Sequence, residues 1–270
     1  MTAPFTLGLV INTWNQANCL SRVLAAVAHQ TGPAEEVLIA DDGSTDQTQQ
    51  VVADWKQGQT VPVTHLWQAH EGFRRSSILN DAIAAARSDY LVFLDGDTVP
   101  HPRFLADHRA MATPGYFVQG HRALIEQKAS PWFGLGGFAA DRRRALFQGQ
   151  MRGLKHSFRW PFPQRRVRGD VRGVRGCNLA IWRADLVMVN GYNEGFVGWG
   201  REDSELALRL MNSQVKRLDV RGRALCYHLW HPPADRANLP TNDGLLEKAI
   251  ASGARRCEQG LSAHLAATTR

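Results

Sequence analysis

Short apolar runs alternate along the chain with segments whose apolar positions recur every three to four residues. Phe5 to Ile11 reads as a buried strand, and Leu20, Val23, Leu24 and Val27 then recur at helical spacing. Thr31-Gly32-Pro33 stops that helix. Glu36 to Ala40 is a second strand, followed by a helix through Val51, Val52 and Trp55. Val61 to Trp67 is a third strand, placed near a sheet edge because Pro62 cannot donate to a ladder. A helix over 77–86 leads into Tyr90-Leu91-Val92-Phe93-Leu94, a run rich in β-branched and aromatic residues. Strands alternating with helices predict a mainly parallel sheet covered on both faces.

After Pro100 the pattern loosens. It predicts a helix from Phe104 to Met111 and strands over 116–122 and 174–182. A helix through Leu206, Leu208 and Leu210 follows, then an apolar strand ending in His228 and His231. Residues after 233 read as a peripheral tail with one helix through Leu245, Leu246 and Ile250.

The polar residues that close the strands carry the chemistry. The first strand runs into Asn12-Thr13-Trp14-Asn15, the second into Asp41-Asp42, the fourth into Asp95-Gly96-Asp97. In open α/β sheets the carboxyl ends of the strands form the ligand crevice. Residues i and i+2 of an extended chain point the same way, so Asp95 and Asp97 are expected to face one ligand. Paired hard oxygen donors suit Mg²⁺ or Mn²⁺ bridging to phosphate. A base and ribose would sit at the first acidic pair, and a diphosphate with its metal at the second. One imidazole would complete the metal shell, with His228 the first choice and His231 the second. Between the two acidic sites lies a basic loop with Arg74 and Arg75. Gly198-Trp199-Gly200 precedes Glu202-Asp203 at a helix start, which suggests a mobile loop placing an indole over a sugar.

The chain has 270 residues, enough for one large or two small domains, with 44% hydrophobic and 21% charged residues, ordinary for a soluble globular protein. No run reaches membrane-spanning length, and the N-terminus lacks the basic and apolar regions of a signal peptide. Four scattered cysteines fit reduced thiols in a cytoplasm. The net charge is +7, and residues 142–175 hold eleven Lys/Arg against one acid, Asp170. That stretch also contains Trp160-Pro161-Phe162-Pro163, which excludes regular structure there, and reads as a functional loop. It suits peripheral contact with an anionic membrane on its inner face. There is no G-x-G-x-x-G and no G-x-x-x-x-G-K-[ST], which argues against NAD enzymes and P-loop NTPases. A nucleotidyltransferase would need a Gly-rich loop and a Lys near the first strand, and neither is present. A non-catalytic nucleic-acid-binding module would explain the arginines but not the carboxylates at the sheet edge, so no nucleic-acid partner is expected.

In order along the chain, these parts are Asn-Thr-Trp-Asn, Asp-Asp-Gly-Ser, the Arg-bearing loop with Asn80, Asp-Gly-Asp, Arg-Gly-Cys-Asn, Gly-Trp-Gly-x-Glu-Asp and a terminal His. The set resembles inverting family 2 glycosyltransferases of the GT-A fold, with a galactosyltransferase-like C-terminal half. The resemblance implies one GT-A domain over 1–233, a nucleotide-binding half over about 1–100 and an acceptor and catalytic half over about 101–233. A C-terminal helical tail follows over 234–270. It implies metal-dependent transfer of a hexose from a nucleotide-diphosphate sugar, UDP-sugar favoured, to a hydroxyl of a glycan or lipid-linked acceptor in cell-surface polysaccharide synthesis. Position by position, Asp42 would bond the base with Asn12 and Trp14 around it, and Arg74 or Arg75, near Asn80, would contact the nucleotide-sugar. Asp95 would reach the ribose or sugar, and Asp97 would bind Mn²⁺ or Mg²⁺ with His228, Asp95 and His231 being the lesser choices. Asp203 would be the catalytic base, Glu202 would order sugar or acceptor, and Trp199 would face the acceptor sugar. Ser204 and Arg201 depart from the family pattern and argue against carrying over its acceptor.

Overall fold

A computed structural model describes residues 4–268. The first half alternates as the pattern predicts: β1 (Leu7–Thr13), α1 (Ala17–Ala28), β2 (Glu36–Asp41), α2 (Thr48–Gln57), β3 (Val63–Trp67), α3 (Arg75–Ala85) and β4 (Tyr90–Asp95). Then come β5 (Thr98–Pro100), α4 (Phe104–Met111), β6 (Tyr116–Gln119), β7 (Arg122–Ile125), α5 (Phe138–Phe147) and β8 (Met151–Arg152). The last part holds β9 (Gln164–Arg168), β10 (Leu179–Trp182), α6 (Arg183–Val189), α7 (Glu202–Asn212), β11 (Lys216–Arg221), β12 (Cys226–His228), α8 (Leu239–Ser252) and α9 (Leu261–Thr268).

Eight strands form a mixed central sheet in the order β3-β2-β1-β4-β10-β6-β11-β9, in which β10 and β9 run against the other six. β3 is an edge strand, where its proline neighbour is harmless. Side chains alternate across the sheet. Leu7, Leu9 and Ile11 of β1 join Tyr90, Val92 and Leu94 of β4 under α1. Val10, Leu91 and Phe93 point to the other face, against Ile78, Leu79 and Ile83 of α3. The register pairs Asn12 with Asp95 and Thr13 with Asp41, so the polar ends of β1, β2 and β4 share one edge.

A second sheet, β5-β12-β7-β8, stands beside that edge. Here the structure departs from the sequence reading. The expected strand over 116–122 is two strands in different sheets, parted at Gly120-His121. The expected strand over 174–182 is regular only from Leu179, after a single 3₁₀ turn over Gly176–Asn178. The basic stretch 142–175 is not one loop: β9 within it pairs antiparallel with β11. Beyond 233 the described residues form two helices, and α9 packs on α3 with Leu261 fully buried. Among the described residues, no helix is long and apolar enough to cross a membrane.

Candidate active site

Two side-chain clusters lie at the carboxyl edge of the central sheet. The first surrounds Arg75, the first residue of α3. Its Nε donates to Asn12 Oδ1 (2.9 Å), Nη1 to Asp203 Oδ1 (3.0 Å) and Glu202 Oε1 (3.2 Å), and Nη2 to Asp95 Oδ1 (3.4 Å). One buried cation thus holds three carboxylates from two elements, Asp95 of β4 and Glu202 and Asp203 of α7. Burial alone would lower the Arg75 pKa, but Asp203 and Asp95 outweigh it and hold it well above the ordinary value. The acids bear the remaining strain. Burial pushes Asp95 up to about 6 against the pull of Arg75. Burial and the neighbouring Asp203 push Glu202 up to about 7. Asp203 also accepts from the Gly176 N–H (2.6 Å), and the Tyr192 hydroxyl lies 3.5 Å from it.

The second cluster is Asp97 with His228 and His231. Gly96 and Asp97 form a turn after β4, and β5 then pairs with β12, setting His228 opposite Thr98. The Leu229 N–H donates to the Asp97 carbonyl (2.8 Å), which locks the end of β12 onto the turn. His228 Nε2 is 3.5 Å from Asp97 Oδ1, and His231 Nε2 is 3.2 Å from Asp97 Oδ2. One ligand atom from each residue lies within 4.8 Å of the others. Burial tends to raise Asp97, but the His231 hydrogen bond and the two imidazoles hold it below the ordinary value. Burial drives His228 down to about 4, so it is neutral at pH 7, the form that ligates a metal. The hydrogen bond to Asp97 raises His231. One carboxylate and two imidazoles fit a divalent cation, and the nitrogen donors suit Mn²⁺ better than Mg²⁺, which takes oxygen ligands.

The family model for glycosyl transferase family 2 matches residues 9–176. The chain belongs to glycosyl transferase family 2. A second model, the N-terminal domain of galactosyltransferase, matches residues 157–232 of this family 2 chain. Validoxylamine A glucosyltransferase of Streptomyces hygroscopicus subsp. jinggangensis is 30% identical over 233 residues, covering 76% of this chain and 51% of that protein. Chondroitin synthase of Escherichia coli is 24% identical over 238 residues, covering 82% of this chain and 34% of that protein. The chain therefore spans about half the length, or less, of these curated relatives. Among solved structures, S. aureus TarS 1–349 in complex with UDP has a TM-score of 0.63 at 16% identity, covering 98% of this chain and 70% of that one. Mannosyltransferase PcManGT from Pyrobaculum calidifontis, in complex with GDP-Man and Mn²⁺, has a TM-score of 0.58 at 17% identity, covering 99% and 76%. These likenesses establish the GT-A fold.

Within this family 2 chain the expected site residues part into three groups. Asn12, Arg75, Asp95, Glu202 and Asp203 converge, and Asp97 meets both histidines rather than His228 alone. Asp95 turns to Arg75 and Asp97 to the histidines, across a turn at Gly96-Asp97, and the Asp97 charge still acts on Asp95. The residues expected around a nucleobase lie along the same edge. Asp42 is buried, and its carboxylate already accepts from Gln68 Nε2 (2.5 Å) and the Arg74 N–H (2.9 Å). Trp14 is exposed and stacks on His70 at 4.8 Å between centroids. Trp199 is half-exposed under the Arg236 guanidinium.

Two residues are not brought to the clusters. Arg74 caps α3 and turns its guanidinium to the Ala69 carbonyl and Glu71. Asn80 is fully buried and spends its amide on the Tyr192 backbone and Glu194, holding the turn that carries Tyr192. Sequence reasoning missed Tyr192, the Gly176 amide and Arg122, whose guanidinium is 3.3 Å from Cys177 Sγ. Gly176 stands in the Arg-Gly-Cys-Asn run and was findable there; nothing in a single sequence marks Tyr192.

Proposed function

We propose that this chain transfers a hexose from a nucleotide-diphosphate sugar to a hydroxyl of a glycan or lipid-linked acceptor, with inversion at C1. The observation that carries this reading is the Arg75 cluster, which sets Asp203 beside Asp95 at the strand ends where β1, β2 and β4 open. The acceptor oxygen forms a bond to C1 as the bond from C1 to the phosphate oxygen breaks. The electron pair leaves with the diphosphate, and the hydroxyl proton passes to a base. Asp203 is that base: Arg75, the Tyr192 hydroxyl and the Gly176 amide fix its orientation, and Oδ2 keeps a lone pair. Glu202 shares Arg75 and orders the sugar or acceptor, and Trp199 lies over the acceptor sugar. Asp42, Asn12 and Trp14 form the nucleoside end, and Asp95 the ribose or donor sugar contact.

Asp97, His228 and His231 would hold Mn²⁺, the chemistry of their donors favouring it over Mg²⁺. A divalent cation there would neutralise charge on the leaving diphosphate. A UDP-sugar is the favoured donor, since a structural neighbour, TarS, is described with UDP. A product in cell-surface polysaccharide agrees with relatives named chondroitin synthase and hyaluronan synthase. The four cysteines are free, which supports a reducing, cytoplasmic setting.

The test pairs two substitutions. Asp203→Asn should lower transfer at least about a hundredfold, within the usual range for a lost general base, and leave nucleotide affinity nearly unchanged. Asp97→Ala should abolish the Mn²⁺-dependent part of nucleotide binding. Equal loss of transfer and binding in Asp203→Asn would reject the base, and unchanged Mn²⁺ dependence in Asp97→Ala would reject the metal site.

A further inference from the structure

One surface of the molecule takes no part in the transfer chemistry. Three large apolar side chains stand out in solvent on consecutive pieces of the chain: Leu135 is 69% exposed, Phe147 91% and Phe162 89%. Phe147 ends α5, and Arg143 and Arg144, four and three residues before it, are exposed as well. Phe162 sits between Pro161 and Pro163, whose fixed φ angles hold it out as a stiff protrusion. Leu154, Phe158 and Val167, each at least 41% exposed, lie between and beyond them.

The pieces are joined. Arg142 of α5 donates to the Ser157 carbonyl and lies over the Phe158 ring at 5.3 Å. Arg223 binds the carbonyls of Trp160 and Pro161, anchoring the Phe162 protrusion to the loop after β11. β9 then extends along β11. Basic residues dominate this surface. Among the described residues, Arg143, Lys155, Arg165, Arg166 and Arg172 take part in no ion pair.

We propose that the outer face of 135–172 docks on an anionic membrane, with Phe147 and Phe162 as the inserting tips. Unpaired cations around protruding rings match a layer of anionic headgroups over acyl chains. Single-stranded nucleic acid would call for stacking rings. Leu135, Leu154 and Val167 have no face to stack, yet each can enter an acyl layer. The stiff mounting of Phe162 means little conformational entropy is lost on insertion.

The position of this face gives it a use. β8 pairs with β7 and β7 with β12, so Arg152 lies two strands from His228, roughly 10 Å at ordinary strand spacing. Docking would hold the cleft at the bilayer surface, where a lipid-linked acceptor presents its hydroxyl. That use rests on the sugar-transfer reading; the docking itself does not.

The full chain is tested by flotation with vesicles of phosphatidylcholine alone and of phosphatidylcholine with 30 mol% phosphatidylglycerol, roughly the anionic content that makes such attraction measurable. Binding is expected on the anionic vesicles, to fall about tenfold or more in the Phe147→Ser/Phe162→Ser protein, and to fall likewise in Arg165→Glu/Arg166→Glu. Thermal melting reports that both proteins stay folded, since all four side chains are exposed. No nucleotide or acceptor is present, so the result is independent of transfer. Equal binding to both vesicle types, or binding untouched by the phenylalanine changes, overturns the proposal. So does phenylalanine-dependent binding to single-stranded RNA without vesicle binding, or concentration-dependent dimerisation that Phe147→Ser abolishes.

Discussion

Glu202 shows how the Arg75 cluster divides its charge. Three carboxylates face one guanidinium, and Glu202 Oε2 is buried with no hydrogen-bond partner among the described residues. Burial first, and Asp203 second, push its carboxyl up to about 7. An unfolded glutamate titrates near about 4.3. Between those values the folded chain binds a proton that the unfolded chain has released, so stability falls as pH rises through that window and levels off above it. Glu202→Gln removes the titration. Relative to the parent it is expected to gain about 2–3 kcal/mol between pH 5, where about 1 kcal/mol of the penalty is already present, and pH 8. Urea unfolding at the two pH values reads this directly, and parallel profiles would mean that Glu202 is ionised throughout. The charged members of the cluster were legible in the sequence because Asp95, Glu202 and Asp203 flank apolar runs, where a carboxylate needs a reason. The choice between Arg74 and Arg75 was not. It depends on one helical step, Arg74 at the cap turning outward and Arg75 in the first turn pointing inward.

At the level of elements, the second half of the fold hangs on a switch between sheets. β6 ends at Gln119, and β7 begins at Arg122 in the other sheet. The switch is made at Gly120, whose N–H donates to the Asn178 carbonyl (2.9 Å) and whose missing side chain leaves room for the Asn178 amide. That amide donates to the carbonyls of His121 (2.9 Å) and Ala224 (2.7 Å), and its oxygen meets His108 Nε2 at 2.9 Å. Gly120→Ala would force the amide out of a buried network and leave those groups unpaired. The expected cost is about 2–3 kcal/mol in urea unfolding, with weaker Mn²⁺ binding because β7 carries β12 and His228. A loss under about 0.5 kcal/mol would show that Asn178 can move aside freely. The sequence did not reveal this switch because Tyr116 to Arg122 reads as one extended run, and the reason to break it comes from a residue 58 positions later. β9 was hidden for a related reason. Gln164-Arg165-Arg166-Val167-Arg168 has no apolar alternation, since both its faces are largely exposed and only its pairing with β11 makes it a strand. The β1–β4 half was readable because β1, β2 and β4 bury both faces.

Across the whole molecule, the C-terminal segment closes back on both α3 and the turn at Tyr192. Leu261 lies in the core on the α3 face of the sheet, and its N–H donates to the Asn190 carbonyl (2.9 Å). His264 of α9 sets Nδ1 2.7 Å from Asp81 of α3 and Nε2 2.6 Å from Glu194 of the Tyr192 turn. α9 thus grips the helix that begins with Arg75 and the turn that brings Tyr192 to Asp203. The hydrogen bonds to Asp81 and Glu194 raise the imidazole to about 9, against the effect of burial. Arg74 also acts on Glu194, whose carboxyl is held below its ordinary value because His264 and Asn80 outweigh burial. An unfolded histidine titrates near about 6.5. The stabilisation is therefore complete below that value and is lost as pH rises through about 9. His264→Gln is expected to be about 2 kcal/mol less stable than the parent at pH 6 and nearly equal to it at pH 10, read by urea unfolding at both. Because the grip reaches the Arg75 helix and the Tyr192 turn, the same variant should also lose transfer activity at pH 7 while keeping Mn²⁺ binding at Asp97. Stability curves that stay parallel from pH 6 to 10 would mean that apolar packing through Leu261, not the charged imidazole, holds α9 in place.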